Sequence, residues 1–122
     1  MPAALVVDDD PDIRRLLRRL LHQRGWSVRE AASGGEGVAA VRDSRPDLLF
    51  TDIFMSGGTG IDLLHALAPH RAGLTVVVMS GDSHHDGIDQ FQLALSLGAS
   101  ATLPKPFDAA MIDAILQAHL PR

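Results

Sequence analysis

After the apolar run Leu5-Val6-Val7 the chain carries Asp8, Asp9 and Asp10, then Pro11 and Asp12. Carboxylates this close repel, and each raises the cost of ionising its neighbours. Two of the four have an ordinary use. Asp10 is a candidate N-cap with Pro11 at the first helical position, and Asp12 sits where the positive end of a helix favours an acid. Asp8 and Asp9 are left unexplained by that account. Further along, Asp52 closes the run "DLLFTD", Ser80-Gly81 closes "VVVMSG", and Lys105-Pro106-Phe107 follows "SATLP". If these ends converge, three carboxylates, a hydroxyl and an ammonium share one rim. One Lys is too little counter-charge for three acids, whereas an oxygen-preferring cation with open positions fits. Mg²⁺ is the natural choice, because it keeps waters and accepts phosphate oxygens. Lys105 is the single Lys among 11 basic residues. A compact ammonium acts as a point charge toward both a carboxylate and a phosphoryl oxygen, where an Arg fork needs more room. The chemistry this set supports is phosphoryl transfer onto a carboxylate, giving an acyl phosphate.

Convergence depends on the elements between those residues. Short apolar runs at Ala4–Val7, Ser27–Ala31, Leu48–Thr51, Leu74–Met79 and Ala99–Leu103 read as strands, several with the Val/Leu content of strands buried on both faces. Amphipathic segments separate them. In Pro11–Arg24, Ile13, Leu16, Leu17, Leu20 and Leu21 follow helical spacing, with Arg14, Arg15, Arg18 and Arg19 largely opposite and Gly25 as a C-cap. Further helices are expected at Gly35–Asp43, Ile61–Ala68, Gly87–Leu97 and Ala109–His119. This alternation spells βαβ units, hence an α/β fold with a parallel sheet and helices on both faces. Sites in such sheets form outside the carboxyl ends of the strands, where all the residues singled out above are placed.

Composition narrows the class. The 122 residues suit a single domain spanning 1–122, and 46% apolar with 21% charged residues is globular rather than disordered. No apolar run reaches bilayer length and the start lacks a secretory pattern, so no membrane insertion and a cytoplasmic location are expected. The absence of Cys removes disulfides and thiolate metal sites, and a net charge of −4 argues against direct nucleic-acid binding.

Taken together, "LVVDDDPDIR", "DLLFTDIFM", "VVVMSG" and "KPF" resemble the receiver (response regulator) domain of bacterial two-component signalling, in order and along the whole chain. Each motif alone is weak; the four together are specific. The resemblance implies a five-stranded parallel sheet of order 2-1-3-4-5 flanked by five helices, flavodoxin-like and doubly wound. It implies Asp52 as phosphoacceptor and Mg²⁺ held by Asp9, by Asp52, by the backbone carbonyl of Phe54, and by Asp8 mainly through a bound water. Lys105 would pair with the phosphoryl group, Ser80 would be the switch hydroxyl, and Pro106 would follow a cis peptide. The implied partners are a histidine kinase or histidine phosphotransfer domain and a downstream protein target or output domain. With the chain stopping just after the fifth expected helix at "HLPR", a stand-alone receiver, a phosphorelay intermediate and a domain cut from a longer protein are all open, and "GASATLPKPF" and the native-looking Met1 favour the first.

The pattern is departed from in three places. Ser56 stands where Pro is usual, and with Gly57, Gly58 and Gly60 it predicts a looser loop and modest Mg²⁺ affinity. Thr102 replaces the usual aromatic switch residue three positions before Lys105, so the output rearrangement should be small. Two other readings compete. A haloacid-dehalogenase-type phosphatase also uses an Asp nucleophile and Mg²⁺, but its first motif needs a small residue where Asp12 stands. A degenerate receiver that binds partners without phosphorylation is opposed by the intact Asp9, Asp52, Ser80 and Lys105. His84-His85 reads as solvated rather than as a metal pair, and the four Arg of the first helix as a solvated face more than as a docking patch. Phe91, Leu95, Ile112, Ile115 and Leu116 are expected in the core; Leu93 and Leu97 are surplus to it and mark a partner surface or a weak homodimer. The third departure is Phe54, two residues past the acceptor, where a polar side chain would position a hydrolytic water. Its bulk should shield the acyl phosphate, so Phe54→Asn is expected to shorten the half-life of the phosphorylated protein; an unchanged or longer half-life contradicts the shielding.

Overall fold

The computed structural model describes residues 2–55, 58–70, 73–81, 84–85 and 88–119, and the side chains of these except 54–61, 70, 84, 85, 88–91 and 119. Strands β1 (Ala3–Val7), β2 (Ser27–Ala31), β3 (Leu48–Asp52), β4 (Thr75–Ser80) and β5 (Ala101–Pro104) form one parallel sheet in the order β2-β1-β3-β4-β5. The three inner strands are almost wholly buried, as a sheet covered on both faces requires, while the edge strands β2 and β5 alternate buried and accessible residues. Helices α1 (Pro11–His22), α2 (Gly34–Asp43), α3 (Gly60–Leu67), α4 (Gln90–Ser96) and α5 (Ala109–His119) alternate with the strands. The expected order and helix count are therefore both present.

Strand alternation sorts the helices into two layers. Ala4, Val6, Leu48, Phe50, Val77, Met79, Ala101 and Leu103 face one way and pack with Leu17 and Leu21 of α1 and Ile112 and Ile115 of α5. Leu5, Val7, Leu49, Val76 and Val78 face the other way, onto Val41 of α2, Leu63, Leu64 and Leu67 of α3, and Ala94 of α4. The second layer closes tightly at one point. A Cβ on Gly37 of α2 would stand 3.0 Å from a methyl of Val7, so this helix approaches β1 as closely as it does because the position is glycine.

Helix ends follow local chemistry. Asp10 caps α1 by accepting the Asp12 N–H at 2.9 Å, with Pro11 next, as expected. Ser33 caps α2 by accepting the Glu36 N–H at 3.2 Å, and the Glu36 carboxylate turns back to the Ala32 N–H at 3.1 Å. Among the helices, α1 and α4 differ from expectation by more than one residue. α1 stops at His22 with Gln23 as C-cap, and Gly25 lies two residues beyond the cap at φ 88°, where it lets the Trp26 N–H turn back to the Leu21 carbonyl at 3.1 Å. α4 spans Gln90–Ser96, shorter than the segment expected; positions 86 and 87 lie outside the described residues. Arg29 of β2 donates to the carbonyls of Ala40 and Ser44, giving partners to the last turn of α2. Arg24 forks onto Asp113 at 2.5 and 3.2 Å, tying the end of α1 to α5.

Leu17 is fully buried between α1 and the sheet. Leu17→Ala is expected to lower the unfolding free energy by about 2–5 kcal/mol in urea titration. A loss under about 1 kcal/mol would show that this layer does not carry the packing described.

Candidate functional site

Strand register brings the chemistry together. Val7 pairs with Thr51, Asp52 with Met79 and Ser80 with Pro104, so four strands end at one level. Asp8 and Asp9 follow β1, Asp52 ends β3, Ser80 ends β4 and Lys105 follows β5. Carboxylate oxygens of Asp8, Asp9 and Asp52 lie within 4.8 Å of one another. The Lys105 Nζ stands 2.9 Å from Asp8 Oδ2 and 3.4 Å from Asp52 Oδ1.

Asp8 is fully buried, and a carboxylate so placed needs partners on every side. Its Oδ2 accepts from Lys105, and its Oδ1 accepts the Asp10 N–H at 2.9 Å. Asp10 thus serves twice, capping α1 with its side chain and orienting Asp8 with its N–H. Asp9 points to the exposed side of the cluster. Asp52 is buried, and its carboxyl is pushed up to about 6. Burial is the main cause, with Asp8 adding repulsion, while Lys105 and the Ile53 N–H pull the other way. Burial also pulls the Lys105 ammonium down, but bonding and attraction to Asp8 and Asp52 outweigh it and hold the group above its ordinary value.

Among the described residues a single ammonium, that of Lys105, lies against Asp8 and Asp52 within a cluster of three acids. The donors are hard oxygens, two buried and one accessible, which is the set a hard divalent cation takes while keeping waters. Mg²⁺ fits these residues.

The remaining expected residues surround this centre. Ser80 is buried, and its carbonyl accepts the Lys105 N–H at 2.9 Å. The Lys105–Pro106 peptide is cis, as expected. Thr102 is half-buried on β5, paired in register with Val78. Phe54 lies two residues past Asp52, its backbone in a two-residue antiparallel pairing with Thr59. The Phe54, His84, His85 and Phe91 side chains, and residues Ser56, Gly57, Asp82 and Ser83, lie outside the described residues.

Several surface expectations change. Arg14 and Arg18 are not a solvated pair: both bind Glu30 of β2, at 3.2 and 2.9 Å. Helical spacing placed them on the polar side of α1 but carried no sign that this side leans over the edge strand. Arg15 is 73% exposed and, among the described residues, pairs with Asp12, a contact of little energetic weight. Leu95, expected in the core, is exposed like Leu93, whereas Leu97 packs against the core. The hydrophobic set on α4 is broader than the face that the sheet covers.

Comparison with known proteins places this arrangement in a family. The model of the response regulator receiver domain matches residues 4–117, and the chain belongs to that family. The family is one of signalling domains rather than of enzymes. The chain is similar to the probable transcriptional regulatory protein TcrX of Mycobacterium tuberculosis, with 30% identity over 97% of this chain and 49% of TcrX. It is 31% identical to sporulation initiation phosphotransferase F of Bacillus subtilis, over 96% of this chain and 92% of that protein. Among solved structures, the chemotaxis protein CheY4 of Vibrio cholerae superposes with a TM-score of 0.87 at 26% identity, covering 98% of this chain and 99% of that one. The chain spans half or less of the length of the first curated relatives it matches.

The raised Asp52 carboxyl has a stability consequence. Its folded value of about 6 lies above the ordinary Asp value, so its contribution is full below about pH 4 and lost as pH rises through about 6. Without divalent cation, Asp52→Asn should therefore become more stable than the parent above that range, by up to roughly 3 kcal/mol. Chemical denaturation at both ends of the range checks this; a stability difference that does not change with pH contradicts it.

Proposed function

We propose that residues 1–122 form a single receiver domain that accepts a phosphoryl group on Asp52 in a Mg²⁺-dependent reaction and thereby changes the surface it offers a partner. The observation that carries this reading is the meeting of Asp8, Asp9 and Asp52 with a single ammonium, Lys105, at the carboxyl end of the sheet. An oxygen of the Asp52 carboxylate attacks the phosphorus of the donor. A new P–O bond forms as the bond to the donor's nitrogen or oxygen breaks, and the electron pair leaves with the donor. Lys105 meets the negative charge of the transferred group, and Asp8 keeps the ammonium aimed at that place. The Ser80 hydroxyl, at the end of the adjacent strand, responds to the new charge. Asp9, Asp52, the Phe54 carbonyl and, mainly through a water, Asp8 would hold Mg²⁺, which when bound would supply the positive charge that lets a carboxylate and a phosphoryl group approach.

Receiver domains work with histidine kinases and output domains, and a phosphohistidine donor suits this acceptor because imidazole leaves as a neutral group once protonated. The similarity over nearly the full length of sporulation initiation phosphotransferase F supports a place in a phosphorelay. Names such as transcriptional regulatory protein describe relatives of which this chain spans only part. A protein target is proposed here, with no direct contact to nucleic acid, consistent with the net charge of −4. Among the described residues no helix is long and apolar enough to cross a membrane. The domain is proposed to work in the cytoplasm, with Thr102 limiting the switch and self-dephosphorylation slow. The exposed Leu93 and Leu95 are proposed as a partner surface or weak dimer contact.

Incubation with Mg²⁺ and acetyl phosphate should give a hydroxylamine-labile adduct that is absent from Asp52→Asn. An adduct that persists in that variant, or none in the parent, contradicts the proposal.

A further inference from the structure

The geometry points to Arg14 as a positioning residue that holds the Asp8–Asp9 peptide in the orientation the cation site needs. This rests on the reading of that site as the Mg²⁺ centre of a receiver.

The Asp8 N–H still belongs to the sheet, donating to the Ala31 carbonyl at 3.1 Å. One atom group later the chain leaves β1 for the acid loop, and the Asp8 carbonyl has passed the end of the ladder. Arg14, one turn into α1, reaches back to it: its terminal nitrogen donates to that carbonyl at 2.7 Å. Asp8 is thereby held at both carboxylate oxygens, by Lys105 and the Asp10 N–H, and at its carbonyl by Arg14. Because a peptide group is planar, fixing the Asp8 carbonyl fixes the plane that carries the Asp9 nitrogen, and so the direction in which Asp9 leaves the chain. The accessible ligand of the cluster inherits its aim from a side chain that is not a ligand.

Arg14 is itself held. Its Nε donates to Glu30 at 3.2 Å, and only 19% of its side chain is exposed. Glu30 takes Arg18 on its other oxygen at 2.9 Å. Arg18 shares helix, charge and acidic partner with Arg14, but it is Arg14 whose terminal nitrogen bonds the Asp8 carbonyl, which makes Arg18 the natural comparison. A guanidinium suits the task because its rigid fork presents donors to a carboxylate and a carbonyl along fixed directions, which a Lys ammonium on its flexible stem does not.

The test is the Mg²⁺ affinity of the folded protein, read by titration calorimetry alongside its thermal unfolding. Arg14→Met is expected to weaken Mg²⁺ binding about tenfold, the scale of losing a partner that orients a metal ligand. Arg14→Lys should fall between the two, and it carries the test if Arg14→Met does not fold. Arg18→Met should leave Mg²⁺ affinity within about twofold of the parent, well short of that scale. Unchanged affinity in both Arg14 variants, or equal losses at Arg14 and Arg18, overturns the assignment and leaves only a structural role. Absence of Mg²⁺ binding by the parent protein overturns the site reading itself, and the assignment with it.

Discussion

Lys105 holds its ammonium between carboxylates that arrive from other strands, Asp8 at 2.9 Å and Asp52 at 3.4 Å. In water such pairs are worth little. Here Asp8 is fully buried, and removing the ammonium would leave it uncompensated in a poorly solvating place. The contact joins the ends of β1 and β5 across the two strands between them, so the rim and the sheet order depend on each other. Two acids share the ammonium, and Asp9 brings a third carboxylate within 4.8 Å of theirs. Burial raises the Asp52 carboxyl most, with repulsion from Asp8 added and attraction to Lys105 opposing it. Three clustered carboxylates beside one ammonium offer the hard oxygens that a divalent cation takes.

Around this centre lies a frame of further polar contacts. Asp10 joins the helix start to Asp8, and Glu30 gathers Arg14 and Arg18 against the edge strand. The N-terminal ends of α1 and α2 are closed by side chains, Asp10 and Ser33. Arg24 and Asp113 lock α1 to α5. Each contact is modest alone. Together they set where β1 hands over to α1, and that junction determines where two of the three acids point.

Much of this was legible in the residues. Continuous Val/Leu runs mean strands buried on both faces, and the run ends carried the polar residues, so the rim followed from topology before any distance was known. The cap of α1 was legible because Asp10-Pro11 is a purely local signal. What escaped was whatever depended on which face meets which element. Helical periodicity showed that Arg14 and Arg18 avoid the core but not that they overhang Glu30, a residue 16 and 12 positions away in sequence. Leu95 shows the same limit from the apolar side: the spacing marks it hydrophobic, yet the sheet covers Ala94 instead. Gly25 was visible as a helix stop, but whether it served as the cap or as the turn beyond it depended on backbone dihedral angles.

The proposed site requires a cation to replace protons in the cluster of Asp8, Asp9 and Asp52. Calorimetric Mg²⁺ titration in buffers of different ionisation enthalpy tests this directly. Asp52 titrates near 6, so binding should release protons at that pH and release almost none two units higher, with affinity rising between the two. Proton release that is absent throughout, with affinity independent of pH, would contradict the account.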